Sequence, residues 1–165
     1  MHIQELIESI NEFVATQPAL FEDPNYVALF GTHMPPVGDW SDPHRPGMLI
    51  KGERVGGLSG IYYFYSSKGE VLYIGKATKN NLHHRVWGHM KTPAGPDVGW
   101  KTFPNHSFSA HDGNQTYSED VRSGNVYLGL VTVVDPDLVS LIEVYLHTVH
   151  KKRYGRLPIF NKQIG

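Results

Sequence analysis

The sequence predicts an α/β chain of the α+β kind, a small three-stranded antiparallel sheet flanked by helices. Three observations carry this. Two aromatic and β-branched runs, Gly60 to Tyr65 and Val71 to Ile74, flank the turn-forming Ser66-Ser67-Lys68-Gly69, which describes a hairpin. A third run, Val126 to Val134, has the densest strand character in the chain. Apolar residues at helical spacing precede the hairpin and follow the third run.

In chain order, Ile3, Leu6, Ile7, Ile10, Phe13 and Val14 fall at i, i+3, i+4, i+7 positions, which predicts an amphipathic helix over 2–16, limited by Pro18. Residues 18–58 are rich in Pro, Gly and aromatics and read as an ordered but irregular connector, a lid or a specificity element. The hairpin follows. Residues 80–91 predict a short helix, with Asn80 or Asn81 as N-cap, Leu82, Val86 and Trp87 apolar, and Pro93 beyond its end. Residues 92–125 are polar and Gly-rich without a period, which predicts a long loop or insertion. After the third strand, Asp135-Pro136 opens a helix as N-cap and first helical residue, and Gly155 and Pro158 close it. Its buried stripe is predicted to be Leu138, Leu141, Ile142, Tyr145, Leu146 and Val149. The domain organisation is therefore an N-terminal helix and irregular extension over 1–58, then one domain over 59–165 with an insertion at about 92–125.

Bulk properties set the class. A chain of 165 residues with 40% apolar and 12% aromatic content can build a core, which excludes wholesale disorder. The opening MHIQELIESINEF lacks a basic region followed by an apolar run, and no stretch approaches the ~20 apolar residues that cross a bilayer, so no membrane association is expected. With no cysteine there is neither disulfide nor thiolate metal site; a soluble cytoplasmic protein is the expectation.

The net charge of −1 hides a pattern. Residues 1–58 sum to −5, 59–91 to +4, 92–142 to −4 and 143–165 to +4. Brought together by the fold, the two positive blocks would form one basic face suited to phosphates. The alternative for the C-terminal block is that Lys151, Lys152 and Arg153 complement the helix dipole.

Gly60-Ile61-Tyr62 and Tyr73-Ile74-Gly75 stand on the two strands of the hairpin, followed by Lys76. Arg85 lies ten residues past Gly75, with His89 one helical turn later; Glu143 falls on the last helix and Asn161 within Pro158-Ile159-Phe160-Asn161. With these residues in this order, the chain resembles the GIY-YIG nucleases over 59–165. Six fixed residues match by chance at roughly one in ten million start positions. The resemblance implies a metal-dependent endonuclease that hydrolyses DNA phosphodiester bonds.

Such hydrolysis needs a nucleophilic water, charge relief on the phosphate and a stabilised leaving oxygen. A hard divalent cation prefers carboxylate and water oxygens, often through one or two protein carboxylates. The resemblance thus assigns Glu143 as the metal ligand, with Mg²⁺ the expected ion and Mn²⁺ the alternative. Arg85 would brace the phosphate with its planar donor fork, and Lys76 would add charge. Tyr62 and Tyr73 would serve in proton transfer, Tyr62 being favoured as acceptor once nearby cations stabilise a phenolate. His89 would act as phosphate donor or proton shuttle, with a plain surface histidine as the alternative. Gly60 and Gly75 would permit close backbone approach. Asn161, a substrate-side residue by its place in the motif, would hold the terminal segment against the site.

The ten histidines invite a zinc reading, since His83-His84 and His147…His150 have helix-compatible spacings. Without cysteines or a partner pattern they read as surface or DNA-facing residues. Trp40, Trp87, Trp100, Phe103, Phe108 and Tyr117 read as core, or as stacking platforms for a distorted base. The compact layout favours a restriction-type endonuclease acting as a homodimer on both DNA strands. The alternatives are a structure-specific or repair nuclease that needs a partner protein, and a non-catalytic DNA-binding module of the same fold.

Overall fold

A computed structural model describes residues 1–21, 26–30, 55–90, 117, 120 and 124–165, with 26–30, Trp87 and Met90 described in backbone only. Trp40, Trp100, Phe103, Phe108 and most of the predicted insertion lie outside the described residues.

The described chain runs α1 (Ile3–Thr16), β1 (Tyr26–Phe30), β2 (Gly60–Ser66), β3 (Val71–Ala77), α2 (Leu82–Met90), β4 (Val126–Val133) and α3 (Pro136–Tyr154). The three predicted strands form an antiparallel sheet with β2 in the middle. A fourth strand, β1, extends it to the order β1-β4-β2-β3. β1 falls inside the segment expected to be an irregular connector; its five residues, YVALF, are too few to show a period among the surrounding prolines and glycines.

The hairpin register decides which side chains share a face. Tyr62 pairs with Gly75 and Phe64 with Tyr73, so Tyr62 and Tyr73 are diagonal neighbours on one face. A register shift between Phe64 and Tyr65 follows, beside the turn where Gly69 adopts φ +80°. The opposite face carries Ile61, Tyr63 and Ile74.

Each face has its own core. Tyr62, Phe64, Leu72, Leu128 and Leu130 pack with Leu82 and Val86 of α2 and with Phe160. Ile61, Tyr63, Ile74, Val131 and Val133 pack with Leu6 and Ile10 of α1 and with Val139, Ile142 and Leu146 of α3. Because Met1, Ile3, Leu6 and Ile10 are core residues, α1 belongs to the same body as the sheet and is more than an extension of it. Phe13 stacks on Tyr145 at 4.3 Å, and Tyr154 donates a 2.6 Å hydrogen bond to Glu5.

Two cap predictions hold in detail. The Asp135 carboxylate accepts from Asp137 N at 2.8 Å at the start of α3, and Gly155 closes that helix with φ 72°. The stripe of α3 departs from the expected one at Leu141, which is 41% exposed, while Val139 is fully buried. Among the described residues no helix is long and apolar enough to cross a membrane.

Candidate active site

Among the described residues β3 is the strand at the edge of the sheet, and its outward-facing backbone groups organise the site. Phe160 N donates to Leu72 O at 3.0 Å. Two residues on, the Asn161 amide accepts from Ile74 N at 2.9 Å and donates to Ile74 O at 2.7 Å. Two further on, Arg85 Nε donates to Lys76 O at 3.3 Å. The alternation of an edge strand thus fixes the C-terminal segment and α2 along one line. Asn161 holds the terminal segment, and both functional groups of its amide are engaged in doing so.

Helices α2 and α3 lie on opposite faces of the sheet, and their side chains meet around that edge. The resulting cleft, about 470 Å³, is lined by Tyr73, Lys76, Arg85, His89, Glu143 and His147, with Phe160, Asn161, Lys162, Gln163 and Gly165 as its other wall. Tyr73, Lys76, Arg85, His89, Glu143 and Asn161, named from the sequence, therefore converge. Tyr62 does not line it: its ring is fully buried one layer deeper.

The phenols differ accordingly. Burial is the main reason that the Tyr62 hydroxyl holds its proton far above the usual phenol range. Tyr73 is also raised, by burial first and by the Glu143 charge, while the hydrogen bond from Tyr62 and the charge of Arg85 work against that rise. The expectation that Tyr62 is the proton acceptor does not fit its burial; Tyr73 is the phenol with access to the cleft.

His89 Nε2 lies 2.8 Å from the Tyr62 hydroxyl. Burial, and secondly the Arg85 charge, pull this imidazole down to about 4, so it is neutral at neutral pH. Its ring packs 4.5 Å from that of Tyr73. It is a half-buried partner of the tyrosine pair; the surface alternative does not hold.

The glycines of the motif are steric requirements. A Cβ on Gly75 would sit 2.6 Å from ring atoms of both Tyr62 and Tyr73. A Cβ on Gly60 would overlap the Val131 carbonyl. Only glycine lets the two phenols come together over β3.

Glu143 is only 5% exposed, held beside the fully buried Ile142 and Leu146. Its Oε2 lies 2.9 Å from Lys76 Nζ. That oxygen accepts no aligned hydrogen bond among the described residues, so the contact is an ion pair held by charge alone. Among the described residues no three His, Cys, Asp or Glu side chains converge as a metal-ligand set. A single carboxylate with an unsatisfied oxygen in an open cleft fits a hard divalent ion that keeps most of its water ligands. It does not fit zinc, which asks for several nitrogen or sulfur donors.

No family model, curated protein or solved structure matches this chain.

His147 is the site residue that sequence reasoning passed over. It and His150 read from sequence as surface or DNA-facing residues; they are 1% and 3% exposed, which removes the surface alternative. His150 Nδ1 donates to Arg156 O at 2.6 Å, a structural role. The His147 imidazole neighbours Glu143, the Ile74 carbonyl and Asn161, and its pKa is lowered chiefly by burial. The available signal was its spacing of four from Glu143, which places both on one side of α3. The two basic blocks meet only in part. Lys76, Arg85 and Lys162 reach the cleft, whereas Arg153 lies 3.8 Å from Glu5 of α1. Tyr117 packs edge-to-face on Phe160 at 5.6 Å, which favours its core reading.

Proposed function

We propose that this protein is a metal-dependent endonuclease that hydrolyses DNA phosphodiester bonds, of the GIY-YIG kind. The observation that carries the reading is the convergence in one cleft of Tyr73, Lys76, Arg85, His89 and Glu143, drawn from one strand and two helices up to 70 residues apart in sequence. A phenol, two cations and a carboxylate are what in-cleft phosphodiester hydrolysis requires.

In this reading the Tyr73 phenolate takes a proton from the attacking water as the new P–O bond forms and the ester P–O bond breaks. The leaving oxygen departs as an alkoxide that solvent water protonates, and Tyr73 returns its proton to solvent. The Tyr62 hydroxyl keeps its proton and donates a hydrogen bond to the Tyr73 oxygen, favouring the Tyr73 phenolate, and neutral His89 steadies Tyr62 from behind. Arg85, fixed at Nε, directs the rest of its guanidinium at the phosphate, and Lys76 adds positive charge beside it. A divalent ion held by Glu143, Mg²⁺ foremost, supplies Lewis-acid charge relief when bound. Lys76 then turns from Glu143 to the phosphate; its 29% side-chain exposure leaves room for that movement.

Site-specific restriction by a homodimer is the form we favour. Incubating the protein with unmodified plasmid and Mg²⁺ tests it: discrete linear fragments are expected, while nicking confined to branched or damaged DNA would point instead to a repair role with a partner protein. The second reading, a non-catalytic DNA-binding module, is favoured by one observation, the Lys76 ammonium seated on the carboxylate. Binding of DNA with no cleavage under any divalent ion would establish it.

A further inference from the structure

The last residues of the chain form a wall of the cleft that the motif residues do not account for. The segment is tied at two points. Phe160 and Asn161 are bonded to the edge of β3, and Gly165 N donates to His147 Nδ1 at 3.5 Å. Between these ties, Lys162 and Gln163 arch along the cleft and are exposed to solvent. The tie at Gly165 rests on an imidazole that is itself 1% exposed, so α3 offers it from a fixed position.

Charge gives the arch its meaning. The cleft presents the cations Lys76, Arg85 and Lys162 around one carboxylate, Glu143. Glu143 balances one of them, which leaves an excess of positive side-chain charge facing a surface that takes a polyanion. Lys76 pairs with the carboxylate, and Arg85 lines the same cleft from α2. Lys162 comes from the opposite wall, too far along the chain to be part of the same hairpin and helix.

We propose that the Lys162–Gln163 arch is a second phosphate-binding element, in which Lys162 contacts the DNA backbone beside the reacting phosphate and His147 is the positioning residue that holds the arch. This rests on the reading of the cleft as a DNA site. Lys162 is a contact for affinity and register; it carries no sequence information.

Binding of a fluorescein-labelled DNA duplex, followed by anisotropy in EDTA over a salt series, tests the proposal without cleavage. Each phosphate neutralised contributes about 0.9 to the slope of log affinity against log salt. Lys162→Ala is expected to weaken binding and to lower that slope by about one phosphate's worth, and Lys162→Arg to restore it. His147→Ala is expected to lower the slope equally, with no further fall in the double variant; His147→Asn, whose Oδ1 replaces the acceptor Nδ1, is expected to restore it. A merely structural histidine would lower stability and leave the slope alone. If His147→Ala fails to fold, His147→Asn and the Lys162 pair carry the test. An unchanged slope in Lys162→Ala, with wild type binding normally, overturns the arch and leaves the nuclease reading standing. A wild type that does not bind DNA overturns both.

Discussion

Lys76 Nζ lies 2.9 Å from Glu143 Oε2, so the carboxylate of the cleft faces a cation tethered to the neighbouring strand. Lys76→Met would leave a nearly buried carboxylate without its counter-charge. Breaking a fully buried pair costs roughly 3–5 kcal/mol, and the partial exposure of Lys76 reduces this to about 1–2 kcal/mol. In EDTA the variant should melt below wild type. Mg²⁺ should restore more stability to the variant than it adds to wild type, because the ion no longer competes with the ammonium. Equal stabilisation of both proteins would speak against Glu143 as ligand, and Glu143→Gln should abolish both the Mg²⁺ effect and cleavage.

The tyrosines should separate in kinetics. Tyr73→Phe is expected to lower kcat by about 10²- to 10⁴-fold with little change in KM, the scale of losing a general base. Tyr62→Phe removes a buried hydroxyl that partners His89 and is expected to cost about 1 kcal/mol of stability and less in rate. Steady-state rates and urea midpoints on both variants decide; the reverse order in kcat would return the role to Tyr62.

His89 makes stability depend on pH. Its folded pKa of about 4 lies below the ordinary 6.5, so between those values the unfolded chain binds a proton that the native state refuses. Stability should therefore fall as pH drops from about 6.5 towards 4, by on the order of 3 kcal/mol from this group if the whole shift counts. His147 and His150, lowered in the same direction, add to the trend. In His89→Gln the dependence should flatten measurably. Urea midpoints at several pH values check this, and an unaltered slope would show that His89 is not the source.

Gly75→Ala places a methyl 2.6 Å from two ring atoms that buried neighbours hold in place. Overpacking of this kind costs roughly 1–3 kcal/mol, and displacing Tyr73 should depress kcat as well. Gly88→Ala is the control: a Cβ there meets nothing within 4 Å, and the exposed helical position should gain up to about 1 kcal/mol. Equal urea midpoints for the two variants would remove the steric account of Gly75.

Much of the site was legible because its residues sit in periodic elements. The hairpin, the Asp135-Pro136 cap and the Ile142 and Leu146 anchors follow from local rules, and they place Tyr73, Lys76 and Glu143. The shared face of Tyr62 and Tyr73 was not legible, since strand register depends on the turn and on the shift after Phe64. Their difference in burial was hidden for the same reason, because only the packing of α2 and Phe160 covers Tyr62. β1 escaped notice because its pairing with β4 is a long-range contact with no signature in five residues. His147 was passed over because a histidine on a helix has no fixed preference for inside or outside. Lys162 and Gln163 became visible only when the edge of β3 captured the segment ahead of them.

That capture also governs how the sheet can meet other chains. Backbone groups of Leu72 and Ile74 that would otherwise template an incoming strand are occupied by Phe160 and Asn161, and Arg85 takes the carbonyl of Lys76. The β3 border is thereby sealed against strand addition and the aggregation it invites. Among the described residues the other border of the sheet is β1, Tyr26–Phe30, on the far side of the sheet from the cleft.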